Sequence, residues 1–359
     1  MKIKTYIIAE AGVNHNGSLK MAKELVMVAK KAGADAVKFQ TFKAENLVTK
    51  QAQQAAYQVE NLGEASSQFA MLKKLELTYE EFIELQSFCL TEHIEFLSTP
   101  FDFESVDFLL DELNIPIAKI PSGELTNAPF IHYIATKRKP IILSTGMATV
   151  EEIHEALAFI SYGLVKSKDP VTLENVYNFY ATEEAKEVLK KYVTILHCTT
   201  QYPAPMDSIN LKAMIEMEKT FQLPIGLSDH SQGIHIPIAA IGMGATVIEK
   251  HFTLDKTLEG PDHLASLNPA ELQAMTKGIR DIERALGDGI KKPTPIEIQN
   301  RIPARKSLVA KSLINEGEVF TPDNLTVKRP GLGIEPSKYW TYIGKRASKS
   351  YNEDELIDE

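Results

Sequence analysis

The chain has 359 residues, of which 44% are hydrophobic and 24% charged; this excludes a disordered polymer and allows one large core with a small appended domain. A formal net charge of −9 argues against a nucleic-acid partner, whose phosphates need clustered cations, but leaves room for a small anion held by a few lysines. No apolar run approaches the roughly 20 residues of a membrane-spanning helix, and Tyr6-Ile-Ile-Ala9 follows the start without the pattern of a signal peptide, so a cytoplasmic location is expected.

Short β-rich runs alternate with helical patterns, the mark of a parallel sheet covered by helices. Eight runs stand out: Thr5 to Ala9, Asp35 to Phe39, Ile94 to Ser98, Ile117 to Ile120, Ile141 to Leu143, Val193 to His197, Ile225 to Ser228 and Thr246 to His251. Eight suggests closure into a TIM (β/α)8 barrel over residues 1–287. The competing doubly wound sheet loses support because no Gly-x-Gly-x-x-Gly turn follows the first run. Helix starts are signalled by Ser18 and by capping-box spacings at Thr78 to Glu81, Thr149 to Glu152 and Asn268 to Glu271. Gly33 and Gly287 are the matching stops.

Two stretches break the rhythm. Residues 43–71 form a long polar connection on the side where barrel loops cover substrates, and Tyr162 to Lys191 reads as a peripheral elaboration with one helical pattern near Glu183 to Lys191. Residues 288–303 read as a linker. Residues 304–359 carry short β-like runs and the basic Lys328-Arg329-Pro-Gly331; at about 56 residues this is a marginal domain that needs a docking surface. Cys89 and Cys198 suggest free thiols in a reducing compartment.

Side chains two apart on a strand share a face, so Glu249 points with His251, and Ser228 with His230. Two such histidines at neighbouring strand ends can hold a divalent cation with positions open to water and a substrate oxygen. In a barrel the chemistry gathers at strand C-terminal ends. There the chain offers Glu10, Lys38, Thr99, Lys119, Ser122, Glu124, Ser144 and Thr199-Thr200 besides the histidine pairs. Lys38 and Lys119, inside apolar runs, need anionic partners: either an internal salt bridge with Glu10 or Glu124, or a bound phosphate or carboxylate coordinated by Ser122, Ser144 and Ser228.

The blocks Glu10-Ala-Gly-Val-Asn-His-Asn-Gly17, Val37-Lys-Phe-Gln-Thr41, Phe96-Leu-Ser-Thr-Pro-Phe-Asp102, Lys119-Ile-Pro-Ser-Gly-Glu124, Leu143-Ser-Thr-Gly-Met147, Leu196-His-Cys-Thr-Thr200, Gly226-Leu-Ser-Asp-His230, Glu249-Lys-His-Phe-Thr253 and Gly260-Pro-Asp-His263, in this order, resemble the sialic acid synthase family. Residues 304–359 resemble its β-rich, antifreeze-like (SAF, β-clip) domain. The resemblance implies condensation of phosphoenolpyruvate with an open-chain N-acetylated amino sugar, with Mn²⁺ or Mg²⁺, in a domain-swapped homodimer. It makes His230 and His251 the metal ligands, and Lys38, Thr99, Lys119, Ser122, Ser144 and Ser228 the phosphoenolpyruvate set. Glu10 falls near the reacting centre with a role in proton transfer; Glu124, Tyr202 and Asp262 fall on the sugar side; Arg329 reaches the N-acetyl group in the partner's site.

The main expectation is N-acetylneuraminate synthesis from N-acetylmannosamine. Thr199-Thr200-Gln201, where some members carry Cys-Thr-Asn, opens the alternative of N,N'-diacetyllegionaminate synthesis from a diacetamido-trideoxyhexose. Two other classes compete: an aldolase using Lys119 as a Schiff-base nucleophile, and a non-catalytic carbohydrate-binding protein.

Overall fold

The computed structural model describes residues 4–55, 58–59 and 67–358, in two compact units, 1–287 and 288–359. The larger unit is built on eight parallel strands: β1 (Tyr6–Gly12), β2 (Ala36–Thr41), β3 (Glu95–Pro100), β4 (Ala118–Ile120), β5 (Ile141–Ser144), β6 (Val193–Cys198), β7 (Ile225–Asp229) and β8 (Val247–His251). Hydrogen bonding runs in the order β3-β2-β1-β8-β7-β6-β5-β4, so first and last strands pair. The sheet thereby curls into a barrel, with β3 and β4 side by side at the seam. The strands are buried on both faces, as parallel strands under a helical cover must be, which is why they read as nearly continuous apolar runs.

The helical cover forms where the capping signals stand. The Ser18 hydroxyl accepts the Met21 amide at the start of α1 (Leu19–Ala32), and Gly33 ends it in the left-handed conformation. Reciprocal capping boxes open α4 (Tyr79–Thr91), α7 (Val150–Val165) and α12 (Pro269–Ala285). Each satisfies two otherwise unpaired backbone donors, an effect of about 1 kcal/mol per cap. Their buried stripes, such as Ala22, Leu25, Val26 and Ala29 of α1, press on the outside of the barrel in one continuous core.

The irregular stretches hold more structure than their sequences suggest. The connection after β2 contains α2 (Ala44–Leu47) and α3 (Gln68–Leu75); part of the expected covering loop lies outside the described residues. The elaboration after residue 162 begins later than expected, because α7 runs to Val165, and it holds two helices, α8 (Leu173–Tyr180) and α9 (Glu183–Tyr192). Val176 and Phe179 of α8 and Ala185 and Leu189 of α9 are buried, joining both helices to the main core.

In the smaller unit, β9 (Ser307–Ala310) and β10 (Leu325–Lys328) pair antiparallel, with Leu325 opposite Ala310. Leu308, Ile314, Phe320, Tyr351 and Ile357 make its separate core. The stretch read as a linker contains short helices at Pro295–Gln299 and Arg301–Ala304, and the Gly331 amide donates to the Ile302 carbonyl at 2.8 Å. Arg329 is exposed just beyond β10.

Candidate active site

Strand register sets the floor of the site. Glu10 on β1 stands level with Lys38 on β2 and His251 on β8, and Ser228 on β7 stands level with Glu249 on β8. The strand period then does what the sequence implies: Glu249 and His251 face the barrel interior, whereas Lys250 between them faces outward and pairs with Asp229 at 2.6 Å.

The interior carries four buried charges. Lys38 Nζ lies 2.5 Å from Glu10 Oε2 and 3.5 Å from Glu249 Oε2, and it donates to Thr99 Oγ1 at 2.9 Å. Lys119 Nζ donates to Ser144 Oγ at 2.7 Å and lies 3.6 Å from Glu249 Oε1, which also accepts the Ser228 hydroxyl at 2.7 Å. Glu249 therefore bridges both lysines. Glu124, weighed from sequence as a lysine partner, is not one: its carboxylate accepts the Asn127 amide at 2.7 Å. A buried ion cluster persists only when its charges are matched, and two carboxylates against two ammonium groups satisfy that.

The electrostatics divide the two carboxylates. Burial pushes Glu10 up, and although Lys38 opposes this, Glu249 adds to it, so Glu10 sits at about 7. Burial acts on Glu249 in the same sense, but Lys119, Lys38 and the Ser228 hydroxyl outweigh it and bring the group down to about 2. Burial and the neighbouring Glu249 charge thus favour the protonated form of Glu10, whereas the two lysines favour the ionised form of Glu249. Burial lowers Lys119 and raises Asp262 to about 6.

The two imidazoles lie close together, with ring centroids 5.6 Å apart and planes tilted by 57°. Nδ1 of His230 donates to the Thr199 carbonyl at 2.7 Å, which leaves Nε2 with a free lone pair. His251 Nδ1 is buried without a hydrogen-bond partner. Burial lowers both rings, and His230 depresses His251 further, so both are neutral and able to act as ligands. Among the described residues no cluster of three or more His, Cys, Asp or Glu has the arrangement of a closed metal cage. Two neutral imidazoles, one with an orphaned buried nitrogen and the other with a free one, fit an open cation site. The Tyr202 ring lies tilted by 34° against His230, with centroids 4.1 Å apart, and meets His251 edge-on. Gly12, with φ +53, lets the chain pass close to this group: a Cβ there would lie 3.3 Å from both Glu10 Oε1 and His251 Cε1.

These side chains open into a cavity of ≈ 230 Å³. Of the residues singled out from sequence, Glu10, Lys38, Thr99, Lys119, Ser122 and Ser144 line it, together with Tyr202, Ser228, His230, His251 and Asp262. Glu124 stands next to Ser122 in a short turn but does not line it, and Arg329 belongs to the smaller unit. Sequence reasoning left Glu249 outside its set of site residues, although its face was legible. It also missed Cys198, whose Sγ lies 3.0 Å from Ser122 Oγ, and the apolar side chains of α3.

Residues 25–291 match the model of the NeuB family, and residues 305–359 match that of the SAF domain. The chain belongs to the NeuB family. It is 50% identical to the N,N'-diacetyllegionaminic acid synthase of Campylobacter jejuni, with 99% of each chain covered. The synthase of the same description from Legionella pneumophila is 46% identical, over 96% of this chain and 90% of that one. Among solved structures, the N-acetylneuraminic acid synthetase of Leptospira borgpetersenii superposes with a TM-score of 0.66 at 31% identity, covering 83% of this chain and 90% of that one. This NeuB-family chain thus pairs a TIM-like barrel with a small SAF unit.

Proposed function

We propose that the chain is an N,N'-diacetyllegionaminic acid synthase, condensing phosphoenolpyruvate with the open-chain form of a diacetamido-trideoxyhexose. The sugar rests on the 50% and 46% identities with two synthases of that description across nearly the whole chain, against 31% for the N-acetylneuraminic acid synthetase. This replaces N-acetylmannosamine as the first choice. The enol phosphate rests on one feature of the site: two buried ammonium groups, ringed by hydroxyls, opening into the cavity beside two neutral imidazoles.

In this reading Lys38 and Lys119 grip the carboxylate and phosphate, with Thr99, Ser122, Ser144 and Ser228 supplying hydroxyl hydrogen bonds. Glu249 keeps both lysines charged and in place. His230 and His251 hold Mn²⁺ or Mg²⁺, which when bound supplies Lewis-acid polarisation of the sugar aldehyde. The phosphoenolpyruvate methylene carbon forms the new bond to the aldehyde carbon, whose oxygen takes up a proton. Positive charge develops on the carbon bearing phosphate, and the fixed carboxylates around it stabilise that charge. Water adds at this carbon, giving its proton to a base, and the C–O bond to phosphate breaks to leave the 2-keto acid. Glu10, near 7, is suited to one of these proton transfers. Arg329 would reach the acetamido group of the sugar in the partner's site of a homodimer.

The test is a phosphate-release assay with phosphoenolpyruvate and a panel of N-acetylated hexosamines, reading product mass. The diacetamido-trideoxyhexose is expected to turn over best, with activity lost in EDTA and restored by Mn²⁺. Full activity in EDTA with borohydride trapping of pyruvate on Lys119 would instead establish the Schiff-base aldolase.

A further inference from the structure

The cavity has a second side that the chemistry above does not use. Part of its lining is charged, but another part is an apolar wall: Val13, three residues past Glu10, Phe101, two past Thr99, and Met71, Leu72 and Leu75 from α3. These five belong, with Phe42 and Leu47, to a cluster separate from the barrel core, in which Val13, Phe42, Met71 and Leu75 are buried and Leu47, Leu72 and Phe101 pack against them. The uncharged amides of Gln40 and Gln58 border the same cavity.

We propose that this wall selects the sugar, by receiving the deoxygenated carbon and the acetamido methyl groups of a diacetamido-trideoxyhexose. The inference rests on the function proposed above and adds the residues that discriminate. The two candidate sugars differ away from the reacting aldehyde. One carries hydroxyls on its fourth and sixth carbons; the other carries an acetamido group and a methyl. An apolar wall gives a methyl group contact and gives a hydroxyl no partner, so it favours the second sugar. The bordering glutamines can meet an acetamido N–H and carbonyl, which an all-apolar pocket could not. Rejection of a hydroxyl by apolar contact alone is modest, so a preference of about 10–100-fold in kcat/KM is expected, not an absolute one.

The experiment measures kcat/KM for the diacetamido-trideoxyhexose and for N-acetylmannosamine, at saturating phosphoenolpyruvate, in the full-length protein. Leu72→Gln places an amide on a half-buried part of the wall, Leu72→Met keeps it apolar, and the nearly isosteric Val13→Thr carries the same test from another element. Leu72→Gln and Val13→Thr are expected to cut the preference about tenfold through the KM of the diacetamido sugar, with KM for phosphoenolpyruvate unchanged, whereas Leu72→Met retains it. An unchanged preference in both polar variants, in an enzyme that does favour the diacetamido sugar, overturns the inference alone. A wild-type enzyme that favours N-acetylmannosamine overturns the proposed function, and the wall's role falls with it.

Discussion

Replacing Glu249 with Gln removes one charge from the cluster of four while keeping the shape. At a pH above 7 the cluster holds two carboxylates, Glu10 and Glu249, against Lys38 and Lys119; the variant holds one against two. Glu249 lies 3.5 Å from Lys38 and 3.6 Å from Lys119. With an effective dielectric of about 20, each contact is worth roughly 4–5 kcal/mol of attraction. Relief from burying the Glu249 charge offsets part of this, and deprotonation of Lys119, already below its ordinary value through burial, caps the rest. The net cost is expected at about 3–5 kcal/mol, or roughly 5–8 °C in the thermal midpoint of a unit this size. The informative arm is thermal unfolding at pH 8 with inorganic phosphate against chloride of equal ionic strength. Phosphate is expected to raise the midpoint of the variant more than that of the wild type, because it answers the uncompensated ammonium. Equal phosphate shifts in the two proteins, or a variant as stable as wild type, would refute the bridging role.

Three further outcomes follow from other parts of the molecule. Gly226→Ala would put a Cβ 2.4 Å from the Val247 carbonyl and 2.6 Å from Leu196 Cδ2, between paired strands that cannot part, so loss of about 3 kcal/mol or of soluble protein is expected; a wild-type thermal midpoint would contradict this packing. Burial pushes His15 down to about 4, so between pH 6.5 and 4 the unfolded chain binds the extra proton; its contribution is complete above that window and declines as pH falls, by about 2 kcal/mol from pH 7 to pH 5. Urea unfolding should show a shallower pH slope in His15→Asn than in wild type. Arg329→Ala is expected to raise the KM for the sugar about tenfold or more while sparing that for phosphoenolpyruvate; steady-state kinetics with both substrates varied would expose an unchanged sugar KM and refute the reach of the smaller unit.

The barrel was legible because each strand is a short apolar run ending in polar residues, and because the helix starts carry side chains that bond their own first turn. The strand ends were read short: β1 runs on to Gly12 through an irregular register past Glu10, since pairing with both β2 and β8 extends it. Period two put Glu249 beside His251, but which lysines it neutralises depends on β2 and β4 arriving from the far sides of the ring. No local pattern encodes that, and Glu124 was the nearer candidate in sequence to Lys119. Helix α3 was hidden for a different reason. Met71, Leu72 and Leu75 face a cavity and a small satellite cluster, so they mimic a loop with scattered apolar residues rather than the stripe of a core-facing helix.

The most direct test of the central claim follows the bridging oxygen of phosphoenolpyruvate. With heavy oxygen between the enol carbon and phosphorus, turnover with the diacetamido sugar is predicted to place the label in the released phosphate, because the C–O bond breaks after water adds. Label retained in the keto acid would mean that phosphorus, not carbon, is attacked, and would contradict the chemistry assigned to this site.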